Sequence, residues 1–170
     1  MLMDKFLKLG LSEEVLKSLV GLGIEEPTDI QEKAIPEILN GKNVIGKAET
    51  GTGKTLAYLL PIIEKIDDSK NEMQAIILSP THELGVQINN VLNDLKRGLG
   101  KKITSTTLVG SGNIKRQMEK LKNKPHILVG TTGRILELIN KKKITTNTIK
   151  TIVIDEGDKL LDFINIKDVR

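Results

Sequence analysis

Ala48-Glu49-Thr50-Gly51-Thr52-Gly53-Lys54-Thr55 follows an apolar pair, Val44-Ile45, and opens a helix-like run from Leu56 to Ile66. Small residues and glycines let a backbone turn tightly, so that several N–H groups converge on one concave nest. The nest stands at the start of a helix, whose N-terminus carries roughly half a positive charge. Lys54 adds a full charge for the outer phosphates, and the Thr55 hydroxyl is within reach of a Mg²⁺ ion. The stretch therefore reads as a phosphate-binding loop for a nucleoside triphosphate, with Thr50, Gly51, Thr52, Gly53, Lys54 and Thr55 as contacts. One position departs from the general pattern, which has Gly where Ala48 stands. The plain alternative is an ordinary strand-to-helix connection.

Outward from that loop the chain alternates. Strand-like runs are Val44-Ile45, Ala75 to Leu78, Ile103 to Val109, Ile127 to Val129 and Ile149 to Ile154. Helix-like runs separate them: about Thr55 to Ile66, Glu83 to Leu95, Asn113 to Leu121 and Arg134 to Asn140. Such alternation predicts an α/β fold with a parallel sheet flanked by helices. Upstream, Ser12-Glu13-Glu14 caps a helix running to about Val20, and Pro27-Thr28-Asp29-Ile30-Gln31 starts another that ends near Gly41. Thr28 and Gln31 have capping-box spacing, so reciprocal capping accounts for Gln31 by itself. Pro36 falls inside that helix and is a candidate kink.

In a parallel α/β sheet every strand-to-helix turn emerges at the carboxyl edge, where ligands bind. Besides the phosphate loop, three such turns are rich in Gly, Ser and Thr: Ser79-Pro80-Thr81, Gly110-Ser111-Gly112 and Thr131-Thr132-Gly133. Each can present donors to phosphate at a helix start, although plain capping is the simpler reading of any one alone. Ile152-Val153-Ile154-Asp155-Glu156 completes the nucleotide chemistry. An apolar strand delivers two carboxylates, the first for the Mg²⁺ shell and the second to orient or deprotonate water.

Charge distribution points the same way. The 170 residues carry a net +4, but Lys96 to Lys150 holds 14 Lys or Arg against two acids, a local +12. A basic block in an otherwise acidic chain suits a polyanion, or is simply a solvated lysine-rich face. Aromatics are only 2% of residues, too few for a protein that grips single strands by base stacking. Any nucleic acid is then expected to be held by its sugar-phosphate backbone. No cysteine is present, which excludes disulfides and thiolate chemistry. Met1-Leu2-Met3-Asp4-Lys5 meets an acid at once and no long apolar run follows, so a signal or membrane span is not expected and the cytoplasm is the default.

As an ordered set these stretches resemble the N-terminal RecA-like domain of DEAD-box ATP-dependent RNA helicases, from Phe6 to about Leu161. Gly23 to Gln31 resembles the Q motif, with Phe6 at the place of its upstream aromatic and Ile24 where an aromatic usually meets adenine. The resemblance implies ATP as cofactor with Mg²⁺. Gln31 would read the adenine edge, and Thr28 would tie the segment to the phosphate loop. Asp155-Glu156-Gly157-Asp158 resembles the name-giving motif, implying Asp155 and Thr55 for Mg²⁺, Glu156 for water and Lys54 for phosphate charge. Pro80, Thr81 and His82, then Gly110, Ser111 and Gly112, then Thr131, Gly133 and Arg134 resemble the three segments that hold the RNA backbone. Residues 1–41 would form a Q-motif helical segment and 42–170 the RecA-like ATP-binding core.

Four further positions depart from the family pattern. His82 stands for an Arg, Ser111 for a Gly, Thr132 for a Pro and Gly157 for an Ala. None touches Lys54, Thr55, Asp155 or Glu156, so kept ATP chemistry and altered RNA contacts are expected. The family's Ser-Ala-Thr strand and its second RecA-like domain have no counterpart before Arg170. The 170 residues are thus expected to be a piece of a longer helicase, incomplete at the C-terminal end of the sheet. Two other readings compete. A GTPase or small-molecule kinase is disfavoured, since Asn140-Lys141-Lys142-Lys143 lacks the guanine-reading Asp and only four Arg occur. A non-catalytic RNA- or protein-binding module keeping the fold is the other.

Overall fold

The computed structural model describes residues 4–161, and the chain divides into two compact units. The first combines the chain up to Ile66 with Leu92–Lys102; the second combines Asp67–Val91 with the chain from Ile103 onward.

The first unit is helical: α1 (Asp4–Lys8), α2 (Glu13–Val20), α3 (Asp29–Leu39) and α4 (Lys54–Lys65). Ser12 caps α2 with its hydroxyl, and its own N–H and O–H both donate to the Glu64 carboxylate at 2.9 Å. One residue thereby starts α2 and ties it to α4. The apolar faces of these helices, with Phe6, Leu19, Ile35, Leu59, Leu60 and Ile63 fully buried, form the core of the unit. At the far end of α4 the Lys101 ammonium donates to the Ile63, Glu64 and Ile66 carbonyls, a cation on the negative end of a helix. Pro36 lies inside α3, and the helix runs past it to Leu39.

The second unit holds the sheet. Strands β1 (Ala75–Ser79), β2 (Ser105–Leu108), β3 (Ile127–Thr131) and β4 (Thr151–Ile154) are all parallel, in the order β2-β3-β1-β4. Between them run α5 (His82–Gly98), which passes from this unit into the first, α6 (Ile114–Lys122) and α7 (Thr132–Asn140); α8 (Gly157–Leu160) follows β4. Ile76, Leu78, Leu108 and Leu128 pack against Leu121 of α6 and Ile135 and Leu138 of α7. The β1-to-β2 crossover moves across the sheet opposite to the other two, so the right-handed rule puts α5 on the other face. β1 is buried at every residue, as a strand covered on both faces must be. At Gly130 a side chain would run into the Leu108 carbonyl, so β2 and β3 approach there only because no Cβ intervenes.

The expected parallel sheet with flanking helices is therefore present. One expected strand is not. Val44-Ile45 forms no ladder, residues 42–49 have no regular structure, and Ile45 is 100% exposed. An extended segment needs a neighbour to take its N–H and C=O groups, and no strand among the described residues supplies one. In the second unit, β4 pairs among the described residues with β1 alone, and its Ile152 is 63% exposed.

Candidate functional site

In the first unit, Gly51 and Gly53 take the left-handed conformation, with φ of 84° and 90°, and Gly53 caps α4. The Thr52 hydroxyl donates to the Glu49 carbonyl at 2.7 Å, and the Lys54 ammonium donates to the Ala48 carbonyl at 2.6 Å. The loop is thus closed on itself, with Lys54 spanning its mouth. Gln31 braces it from outside. Its Oε1 accepts from the Thr28 N–H at 3.0 Å, and its Nε2 donates to the Gly53 carbonyl at 3.0 Å.

The reciprocal capping read from Thr28 and Gln31 is therefore realised, and the same amide also ties α3 to the phosphate loop. Gln31 is 2% exposed. A Cβ at residue 53 would lie 2.5 Å from Gln31 Nε2 and 3.0 Å from Thr28 Oγ1, so the interlock leaves room for glycine alone. Beside it opens a pocket of about 460 Å³, lined by Thr28, Asp29, Ile30, Lys33, Lys47, Ala48 and Thr52. Ile24 is half-buried. Phe6, expected near the base, is fully buried among core residues, so its ring has no face open to a ligand in this arrangement.

In the second unit the acidic pair stands at the end of β4. The Asp155 N–H donates to the Leu78 carbonyl at 2.9 Å, and the Asp155 carboxylate accepts from the Glu156 N–H at 3.0 Å. Glu156 adopts φ 49° and ψ 51°, a left-handed conformation that costs a non-glycine residue about 1–2 kcal/mol. Its carboxylate takes the Lys159 ammonium at 2.7 Å. Gly157, where the family pattern has Ala, begins α8.

The three anion-friendly turns are brought together at the carboxyl edge. Ser79 pairs with Thr131 across β1 and β3, and its hydroxyl lies within 3.1 Å of the Thr81 carbonyl and 3.4 Å of the Gly130 carbonyl. His82 Nδ1 and Ser111 Oγ form a hydrogen bond of 2.7 Å, linking the first turn to the second. Arg134 links the second to the third. Its guanidinium donates to the Gly110 carbonyl at 2.8 Å, the Gly112 carbonyl at 3.2 Å and Gln117 Oε1 at 2.9 Å, and pairs with Glu137.

With its side chain 9% exposed, Arg134 shapes the 110–112 turn. Sequence reading had placed it on the nucleic acid and had no signal for this bracing role. Thr81 caps α5 by accepting from the Leu84 N–H at 3.2 Å, so the simple capping reading holds there too. At α7 it does not: Thr131 makes no cap bond, and Thr132, 7% exposed, keeps a hydroxyl without a partner.

The profile of the DEAD/DEAH box helicase family matches residues 28–169. The chain belongs to that family. It is 43% identical over 167 residues to the DEAD-box ATP-dependent RNA helicase CshA of Bacillus cereus, covering 98% of this chain and 31% of that protein. It is 48% identical over 139 residues to the probable ATP-dependent RNA helicase YfmL of Bacillus subtilis, covering 82% of this chain and 36% of the relative.

The chain thus spans about a third of the curated relatives it matches. Among solved structures, a DEAD box protein from Methanococcus jannaschii superposes with a TM-score of 0.85 at 38% identity, over 94% of this chain and 43% of the other. Saccharomyces cerevisiae Dbp5, bound to RNA and ADP BeF3, gives 0.84 at 33% identity, over 96% and 41%. The fold of this DEAD-box chain is that of the family's RecA-like domain. No helix among the described residues is long and apolar enough to cross a membrane.

Proposed function

We propose that the chain is the ATP-binding N-terminal domain of a DEAD-box RNA helicase whose parent couples ATP hydrolysis to local unwinding of RNA duplexes or remodelling of RNA–protein particles. A second RecA-like domain of the parent would complete the machinery, so the isolated chain binds nucleotide weakly and unwinds nothing. The observation that carries the reading is the interlock of Thr28 and Gln31 with Gly53. It joins the segment assigned to adenine with the loop assigned to phosphate.

Lys54 leaves the Ala48 carbonyl to take phosphate charge, while the left-handed glycines turn backbone N–H groups toward the same oxygens. Carboxylate and hydroxyl oxygens are the donor types suited to Mg²⁺, an ion that takes one or two carboxylates, keeps several waters and shares the phosphates. Asp155 and Thr55 are the residues that would hold it, and when bound it neutralises charge on the phosphoryl oxygens. Glu156 orients the attacking water and accepts its proton. Ile24 gives the base an aliphatic contact in place of a ring, which lowers affinity. Phe6 supports the segment from the core, and the turns at 80–82, 110–112 and 131–134 hold the RNA backbone. The cytoplasm is the proposed location.

The test is a titration of the chain with ADP and GDP in Mg²⁺, beside Gln31→Ala. Saturable binding of ADP, little of GDP and weakening on substitution are expected. Equal binding of both nucleotides would leave the phosphate loop standing and remove adenine recognition. No binding of either by the folded chain would confine the function to the longer parent.

A further inference from the structure

Of the side chains in the three carboxyl-edge turns, only His82 and Arg134 are able to carry positive charge, and Arg134 is already committed to the Gly110 and Gly112 carbonyls. His82 is exposed and bonded through Nδ1 to the equally exposed Ser111 hydroxyl at 2.7 Å. Both stand where the family pattern has other residues, and the structure places the two substitutions in contact with each other. The turn carrying Ser111 is held rigid by Arg134 and by Gln117, whose amide donates to the Val109 carbonyl at 2.9 Å. The Ser111 end of the pair therefore sits on a braced turn.

We propose that His82 and Ser111 act as one proton-coupled contact for a backbone phosphate, so that nucleic-acid binding takes up a proton at this pair. This rests on the reading of the three turns as an RNA-backbone site. In the neutral pair one hydrogen is always spent between Nδ1 and Oγ. With Nε2 protonated, the Ser111 hydrogen fills the bond and only Nε2–H points outward. In the other tautomer Nδ1–H fills it, only the Ser111 hydrogen is free, and Nε2 is a bare acceptor.

Adding a proton changes the count. Nδ1–H donates to Oγ, and the Ser111 O–H and Nε2–H are both released outward, now with a full positive charge. A phosphate prefers that state, through two donors and a charge against one neutral donor. An arginine at this position would bind the same anion with no proton to gain. Imidazole is the side chain type that gains and loses charge between pH 5 and 8, whereas a guanidinium stays charged throughout. Around the pair, α5 carries Glu83, α6 carries Lys115 and Arg116 in its first turn, and α7 carries Arg134 and Glu137. The second histidine of the chain, His126, is buried and bonded to Thr104 and Lys70.

The experiment measures the affinity of the 170-residue chain for a fluorescent single-stranded oligouridine between pH 5.5 and 8.0 at constant ionic strength, beside His82→Arg and Ser111→Ala. Thermal melts at each pH confirm folding. Wild-type affinity is expected to rise about fivefold to tenfold toward acid, below the ceiling of tenfold per pH unit for one linked proton. Binding enthalpy at intermediate pH should vary with the ionisation heat of the buffer, the signature of proton uptake. His82→Arg should flatten the pH profile and steepen the salt dependence by about 0.7 in log–log slope. Ser111→Ala should weaken binding more on the acid side than on the alkaline side. RNA binding that is independent of pH in the wild type overturns the coupling and leaves the RNA site intact. RNA binding absent at every pH in both wild type and His82→Arg overturns the coupling and the RNA site together.

Discussion

Gly53 carries three demands at one Cα: a φ of 90°, the N-terminal cap of α4, and van der Waals room for Gln31 and Thr28. Alanine satisfies none of them. Its left-handed conformation alone costs about 1–2 kcal/mol, and its Cβ would press on Gln31 Nε2. The flexible response is for the Gln31 amide to withdraw, which severs the tie to the loop. Gly53→Ala is therefore expected to weaken ADP binding about tenfold or more, the affinity equivalent of that conformational cost. The melting temperature should fall only modestly, because the loop lies outside the packed core. Unchanged ADP affinity in isothermal titration would show that the interlock has no part in forming the loop. By contrast, the Glu156–Lys159 ion pair is solvent-facing, and exposed pairs of this kind contribute little. It does not withhold Glu156 from a stronger partner.

At the scale of elements, the entrance to the sheet is organised by a residue that sequence patterns pass over. The Thr104 N–H donates to His126 Nδ1 at 3.0 Å, so Nδ1 is an acceptor and the ring hydrogen is on Nε2. That hydrogen points to the Lys70 carbonyl at 3.0 Å. The His126 carbonyl in turn accepts from the Gln74 and Ala75 N–H groups. One side chain thus joins the segment before β1 to those before β2 and β3. Close by, the Ser69 hydroxyl and then the Lys70 ammonium hold the Asp67 carboxyl below its ordinary value of 3.8. His126→Ala deletes bonds to Thr104 and Lys70 and leaves partly buried polar groups behind. Each loss of that kind costs about 1–3 kcal/mol, so a fall in stability of about 2 kcal/mol is expected. Urea unfolding should report it as a lower midpoint with an unchanged slope. A midpoint shift too small to measure would mean that water replaces the ring.

For the molecule as a whole, sequence and structure part where long-range pairing decides. The order of strands and helices was legible because the apolar runs Ala75 to Leu78 and Ile127 to Val129 are buried along their whole length. The turns were legible because Gly, Ser and Thr gather between a strand and a helix, where they cap the helix or turn the chain. Val44-Ile45 reads equally well as a strand, yet an apolar pair becomes one only if a neighbour is there to receive it. Arg134 and His126 were illegible for the opposite reason. Their partners are main-chain carbonyls and N–H groups distant in sequence, which carry no signature in residue type.

The same dependence on neighbours makes β4 the weak point of the sheet. Among the described residues its outer edge has no partner, and Ile152 and Ile154 lie 63% and 40% exposed. The register sets them beside Ile76 and Leu78, so an apolar surface continues from the buried core to the open edge. An unprotected strand edge with an apolar face is a template for pairing with another chain. The 170-residue chain is accordingly expected to self-associate with rising concentration. Ile152→Lys places a charge on that edge at a side chain that is already 63% exposed. Its thermal stability should stay within about 0.5 kcal/mol of the parent, while light scattering should show the associated fraction falling. If association persists undiminished, the sticky surface is elsewhere. The next candidates are then the exposed Val20 and Leu22 of the first unit, which a charge at 152 cannot protect.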